Sequence, residues 1–296
     1  MVWTFDTERD QWHAAVPAET CIQSNFYTLT DVDGAHDDRL EDWLSSVEDK
    51  AVTPYERLLR GERLEGEARA NFSHFAAVLH VRTPAMVRNA AMVHGHGAAM
   101  ISHVLTKDRE RFEKIMRRHN ENASSDEVER AWNFARNPEN YIIEVDQHAG
   151  LGQLSASDKL TEIFYDMGWA VEEPDRPLIS CDNPIGRVSP PDSHHPFRGD
   201  GGFKNRRVSV SFPLSPNRCL TMHWSKDAPG VFKVDRERSM QLNRQRAYFS
   251  ERQIFSSRQD PGIRNLGLKY CDHRPTMRIE GPKGLPKVEV KRKLRP

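Results

Sequence analysis

Long apolar runs are missing from this chain. No window approaches the about eighteen uninterrupted apolar residues of a membrane span, so nothing in it is predicted to cross a bilayer. Cysteine is scarce, with Cys21, Cys181, Cys219 and Cys271 the only four in 296 residues. None lies near enough to another in sequence to read as a zinc knuckle or redox pair, and sparse thiols fit a reducing compartment. Net charge is missing too: lysine plus arginine and aspartate plus glutamate each number 43. No global field therefore draws the protein to nucleic acid or to a membrane. The glycine-rich phosphate loops and the nucleophile elbow are absent, which disfavours serine hydrolases, nucleotide-triphosphate enzymes and dinucleotide oxidoreductases. Gly199-Asp200-Gly201-Gly202 lacks the lysine and the following helix that would cradle a phosphate. The segment Met1–Asp6 has an early acid and no apolar core, unlike a signal peptide. Together these absences predict a soluble, cytoplasmic protein.

The residues present are heavily charged, at 29%, yet the charge is uneven. Asp31–Asp49 is acidic, and Lys283–Arg295 is basic with Glu289 its only acid. Val2–Asp6 alternates as a strand, with Trp12–Val16 its hairpin partner. Leu40, Trp43, Leu44, Val47, Ala51, Leu58 and Leu59 form one apolar helical stripe, interrupted near Pro54. A second helix is predicted over about 65–81, carrying Phe72, Phe75, Ala76 and Leu79. At Pro84 either two helices abut, with Thr83 as cap, or one helix kinks. The following pattern runs from Met86 to Leu105. Ser124-Ser125-Asp126-Glu127 is a capping box announcing a helix through Val128, Ala131, Trp132 and Ala135. Another helix is predicted to hold Leu160, Ile163, Phe164, Met167 and Ala170.

Beyond Glu172 the pattern changes to strands at Pro177–Cys181, Arg207–Phe212 and Cys219–Trp224. Short strands at Val231–Val234 and Arg252–Phe255 flank a last amphipathic helix with Met240, Leu242, Ala247 and Phe249. Residues 186–206 read as a long mobile loop. Pro282–Pro296 alternates apolar and basic residues, as a disordered tail or an added edge strand. The order predicts an α+β fold: an N-terminal β-hairpin, a helical middle and a C-terminal mixed sheet with helices, in one domain over 1–281 with a basic tail over 282–296.

Few motifs carry chemistry. Asp31-Val32-Asp33-Gly34-Ala35-His36-Asp37-Asp38 suggests a calcium loop, but glycine arrives at the fourth position rather than the sixth, and a turn before a helix explains it. His94-Gly95-His96 and His103 fall on one helix. His96 and His103 share a face seven residues apart, not at the spacing of three or four that helical metal pairs use. His194-His195 lies in the predicted loop. The best candidate is Asp182-Asn183-Pro184, delivered by the run Leu178–Cys181. Asp182 can accept hydrogen bonds or hold a divalent ion, Asn183 can donate and accept, and Pro184 fixes the turn. The same residues are also good turn material, because both side chains can bond nearby backbone amides. Arg82, at the helical junction, requires a carboxylate such as Asp182 or Glu48.

Several stretches in this order resemble a bacterial family known only as domain of unknown function 4238. They are Asn25-Phe26-Tyr27 with the acidic helix through Leu40, Glu41 and Glu48; Phe75 through Arg82-Thr83-Pro84; Asp182-Asn183-Pro184; Phe212-Pro213-Leu214-Ser215-Pro216; and Asn243 in the last helix. The resemblance spans about Val2 to Phe255 and transfers no activity. Members of the family usually open with a segment reading roughly His-His-Tyr-x-Pro, ahead of the Trp3–Asp6 strand at which this chain starts. If the protein is an enzyme, the residues point to phosphodiester hydrolysis on nucleic acid. Asp182 is then metal ligand or base, Asn183 an orienting group and Arg82 a clamp, with a divalent metal as cofactor. Arg187, Lys204, Arg206 and Arg207 flank the loop and would touch phosphates. The competing class is a non-enzymatic binding or regulatory protein in which Asp182 and Arg82 are buried mates.

Overall fold

The computed structural model describes residues 1–21, 26–27, 29–30, 36–193, 201–271, 279 and 281–291. In chain order these form strands β1 (Val2–Asp6), β2 (Gln11–Ala15), β3 (Leu29–Thr30) and β4 (His36–Asp37). Helices α1 (Arg39–Leu59), α2 (Gly66–Val81), α3 (Pro84–Leu105), α4 (Arg109–His119) and α5 (Ser125–Ala135) follow, then β5 (Ile142–Asp146) and α6 (Ser157–Asp166). The rest comprises β6 (Gly168–Pro174), β7 (Ser180–Cys181), β8 (Gly186–Val188), β9 (Ser209–Ser215), β10 (Arg218–His223) and β11 (Ala228–Val234). It closes with α7 (Arg236–Phe249), β12 (Gln253–Ser256), α8 (Pro261–Cys271) and β13 (Lys287–Lys291). This is the α+β arrangement, with the N-terminal hairpin of β1 and β2 in place. Backbone contacts gather the chain into two compact units, Met1–Thr83 with Leu154–Thr276, and Pro84–Gln153 with Met277–Pro296.

The first unit holds two sheets. One is antiparallel, in the order β2-β1-β12-β7. Phe5 and Ile254 of this sheet, Ile179 just before β7 and Ala247 of α7 form a buried cluster, with Trp12 and, from α8, Ile263 and Leu266 packed against it. The other sheet runs β11-β6-β10-β9-β8 and is mixed, because β11 pairs parallel with β6. β9 is buried on both faces, and its alternation assigns each face a neighbour. Phe212 packs against Phe72 and Phe75 of α2, while Ser211 donates to Gln245 of α7. Helices thus cover both faces of this sheet, as a strand without exposed positions requires. α1 remains one helix through Pro54, and its apolar stripe places Leu44 and Val47 on Val78 of α2.

The second unit is α3, α4 and α5 with the two-stranded parallel pair β13-β5. The capping box forms: Glu127 N–H donates to Ser124 Oγ at 3.2 Å, and Ser124 N–H donates to Glu127 Oε2 at 2.7 Å. Across α3, Gly95 lets Val288 and Val145 approach closely; a Cβ there would lie 2.4 Å and 2.7 Å from their methyl carbons.

Several boundaries depart from the sequence expectation. α6 ends at Asp166, and Ala170 belongs to β6, because the backbone turns extended at Met167 and the strand begins at Gly168. A Cβ on Gly168 would sit 2.0 Å from the Ser225 carbonyl oxygen. The strand predicted over Pro177–Cys181 is regular only at Ser180–Cys181, and β8 lies inside the stretch read as loop. The Thr83 hydroxyl donates back to the His80 carbonyl at 3.3 Å. The highly charged α4, the strand β5 and the final helix α8 were not anticipated, so α7 is not the last helix. Of the two alternatives for the tail, Lys287–Lys291 realises the added strand.

Candidate functional site

The turn after β7 is built by its own polar groups. Asp182 N–H donates to the Gln253 carbonyl at 3.1 Å. Its carboxylate then accepts three backbone amides across the gap between α7 and β12: Glu251 at 2.7 Å, Arg252 at 2.7 Å and Gln253 at 2.9 Å. Cys181 Sγ donates to the Asn183 carbonyl at 3.0 Å, and Arg246 donates to the Pro184 carbonyl. Asn183 Oδ1 is sealed from solvent without a hydrogen-bond partner. Asp182 is therefore a carboxylate seated in a nest of amides, an arrangement that holds backbone in place.

Arg82 caps the C-terminus of α2 and commits its guanidinium to Glu48 at 2.6 Å, the second of the two carboxylates considered for it. Its carbonyl accepts the Tyr27 hydroxyl at 2.8 Å. The charges of Asp182 and Arg82 both act on Cys21. Cys21 is exposed as a residue and takes a left-handed backbone, with φ of 59°. Desolvation, with the Asp182 charge adding and Arg82 opposing, pushes its thiol up to about 12. Burial pushes Cys181 and Cys219 up to about 12 as well, so neither is a thiolate nucleophile at neutral pH. The free thiols expected from the sequence are present at Cys21, Cys181 and Cys219.

Beneath this turn lies a second group that the sequence did not signal. His80 packs edge-on to Phe203 at 5.1 Å, and its Nδ1 is sealed and without a hydrogen-bond partner. Burial first, and then the charge of Arg187, hold its pKa down at about 4, so the ring is neutral at physiological pH. Arg246 is fully buried with neutral acceptors: the Pro184 carbonyl and, at 2.7 Å, Ser211 Oγ. Gly186 is what admits it, because a Cβ there would meet Arg246 Nη2 at 2.0 Å.

The basic residues expected to touch phosphate form a separate ledge. Arg187 lies over the Phe203 ring at 5.5 Å, and Arg206 over Trp224 at 4.4 Å. Trp224 Nε1 donates to the Phe203 carbonyl at 2.9 Å, fastening the 203–207 turn to the end of β10. Lys204 and Arg206 are exposed, and Arg207 forks onto Asp192 at 2.9 and 2.8 Å. The turn that begins at Trp224 continues into an open recess of about 390 Å³ lined by Arg63, Arg69, Ser225, Lys226 and Asp227, among others. Arg69 is fixed at its base by the Tyr165 and Met167 carbonyls and by Asp227. At the rim Lys226 is exposed, and Arg63, also exposed, pairs with Glu65 at 3.1 Å and Asp227 at 3.2 Å. The cations Lys204, Arg206 and Arg207 of this ledge were legible in the sequence. The aromatic support from Trp224 could not be read, because it arrives from another strand.

Among the described residues no group of three or more histidine, cysteine, aspartate or glutamate side chains is placed to hold a metal ion. His94, His96 and His103 all lie on α3. Asp31–Ala35, His194-His195, Gly199-Asp200, Asn25 and the side chains of His36 and Cys271 fall outside the described residues. Among those described, no helix is long and apolar enough to cross a membrane.

The family described as protein of unknown function (DUF4238) matches residues 1–260, and the chain belongs to it. No curated protein and no solved structure matches it.

Proposed function

From that membership, which carries no activity, we propose that the protein is a non-enzymatic nucleic-acid-binding protein. In this reading single strands lie on the ledge formed by Arg206 and Trp224. The carrying observation is the guanidinium of Arg206 lying at 4.4 Å over the indole, exposed on its outer side. A guanidinium plane stacked on an aromatic ring is a sequence-tolerant platform for an unpaired base. Lys204 on the same turn and Lys226 at the recess supply the cations that track a phosphate backbone. The neutral total charge is no obstacle, because a local basic ledge acts within a Debye length.

Binding is favoured over hydrolysis by the state of Asp182. A carboxylate accepting three main-chain amides is poorly disposed to take a proton or lend itself to a metal. Phosphodiester hydrolysis is the second reading. It is supported by His80, a neutral imidazole with a sealed, unpartnered nitrogen close to Arg187.

The test is fluorescence anisotropy with a labelled single-stranded DNA and RNA, titrated over salt. Arg206→Ala and Lys226→Ala are each expected to weaken binding and to lower the salt slope by about one. Absence of binding at low salt, or binding indifferent to both substitutions, overturns the proposal. The same oligonucleotides incubated with divalent metal ions separate the two readings. Cleavage that disappears in a folded Asp182→Ala protein would install the hydrolase.

A further inference from the structure

The pair β5 and β13 is a two-stranded parallel sheet with nothing on either outer side: among the described residues no backbone hydrogen bond joins either strand to a third segment. So small a sheet is marginal by itself and needs cover on a face or more strands. One face has cover, since Val145 and Val288 pack on α3 at Gly95. By strand alternation Ile143 and Val290 share that face. Glu144, Asp146, Lys287, Glu289 and Lys291 share the opposite one.

We propose that a second copy of this chain completes the sheet, pairing β13 antiparallel with its own β13 to give the order β5-β13-β13-β5. The argument is charge complementarity at a symmetric edge. β13 reads Lys-Val-Glu-Val-Lys. A two-fold axis through Val288 sets Lys287 opposite Glu289 of the second copy, and the reverse. An axis through Val290 sets Glu289 opposite Lys291 in the same way. Each register puts its central valine opposite the same valine of the second copy on the α3 face and an acid–base pair to either side of it on the other, the pairing that antiparallel strands favour; the axis through Val288 is preferred, because one through Val290 also sets Lys287 opposite Lys293. An axis through Glu289 would oppose like charges and is excluded on that ground. The other open edge has no such solution. β5 reads Ile-Ile-Glu-Val-Asp, carries acids alone, and in no antiparallel register with itself does it meet a base. Edge lysines usually discourage pairing; here the glutamate between them turns the edge into its own complement.

The spacing agrees. α3 packs across both strands. Strands about 4.8 Å apart then place the two α3 axes about 10 Å apart, the distance at which helices pack. An isologous two-fold contact also closes on itself, whereas β13 on the β5 of another copy would propagate into a chain.

The experiment is sedimentation or light scattering on the full chain with two charge-altered edges. Glu289→Lys makes the strand all-lysine at its polar positions, and the double substitution Lys287→Glu with Lys291→Glu makes it all-glutamate. Wild type is expected at twice the chain mass and each variant at the chain mass. An equimolar mixture of the two variants is expected to return to twice the chain mass, which also shows that each variant is folded. The proposal fails if wild type stays at the chain mass at every concentration, or if either variant remains double. It fails equally if the mixture does not recombine, or if wild type gives a ladder of masses.

Discussion

Removing the Asp182 carboxylate is the perturbation that most sharply separates scaffold from chemistry. Asp182→Ala strips the acceptor from three main-chain amides held at 2.7, 2.7 and 2.9 Å. A hydrogen bond to a charged group contributes about 1.5–3 kcal/mol net. The site is only partly buried, so the lower end applies and the loss is about 4 kcal/mol for alanine. Asparagine is a finer probe. Its carbonyl can serve Arg252 and Gln253 N–H from the Oδ2 position, but its amide then faces Glu251 N–H, donor against donor. Asp182→Asn is therefore expected to lose about half as much, roughly 2 kcal/mol. Urea unfolding followed by tryptophan fluorescence measures both, and with a slope of about 2–3 kcal/mol per molar the alanine midpoint falls by about 1–2 M. Native-state hydrogen exchange should show the amides of 251–253 opening first. A variant within about 0.5 kcal/mol of wild type would refute the clasp, since surface changes of no structural weight fall in that range.

Three further outcomes follow from the same geometry. His80 has its pKa depressed from 6.5 to about 4 by burial, so the unfolded chain takes up its proton first; stability is whole above pH 6.5 and falls as pH drops toward 4, by about 3 kcal/mol at most. His80→Gln should lack that loss in urea titrations at pH 7 and pH 4, while His74 and His223, also depressed by burial, act alike in both proteins. Gly186→Ala drives a methyl into Arg246 and is expected to cost about 2–3 kcal/mol, read as a lowered thermal midpoint; unchanged stability would contradict the close contact. A single domain over 1–281 requires one calorimetric transition whose van't Hoff and calorimetric enthalpies agree, whereas two separable transitions would assign independent folding to the two compact units.

What the sequence disclosed depends on how local the cause is. The α1 stripe, the Ser124–Glu127 box and the β1–β2 hairpin are set by neighbours a few residues away, and all were legible. α4 was not recognised, although Phe112, Ile115 and Met116 stand at helical spacing behind the Asp108 cap; the dense charge around that narrow stripe masked it. β5 was hidden for a different reason, being short and defined by pairing with a strand more than a hundred residues away, while β13 was legible as one of the two alternatives for the tail. At the candidate site, Asp182 was legible as an acceptor of backbone amides, but nearby amides were expected for it and for Asn183, whose Oδ1 has no partner. The partners of Asp182, 69 to 71 residues further on, were not legible. Cys21 carried no signal at all, since its place beside Asp182 and Arg82 arises only in three dimensions.

Two of the stretches that carry the family resemblance, Asn243 and Asp182-Asn183-Pro184, meet at one segment, and that meeting bears on where function should be sought. Asn243 of α7 accepts Ile179 N–H at 2.9 Å and donates to the Pro177 carbonyl at 3.1 Å. One turn later on the same helix, Arg246 takes the Pro184 carbonyl and Ser211 of β9. Just past the helix, the 251–253 amides take Asp182. The stretch 177–184 is thus pinned at three levels by α7 and its exit. Two charges are held on that segment by uncharged partners, a carboxylate on amides and a buried guanidinium on a carbonyl and a hydroxyl. Interactions of this kind fix a backbone path at a high desolvation cost and leave no charge poised to act. A motif made of such contacts marks the shared scaffold. The groups free to vary their partners lie on the 203–207 and 224–227 turns, where Arg206, Lys204 and Lys226 remain exposed, and ligand recognition is expected there.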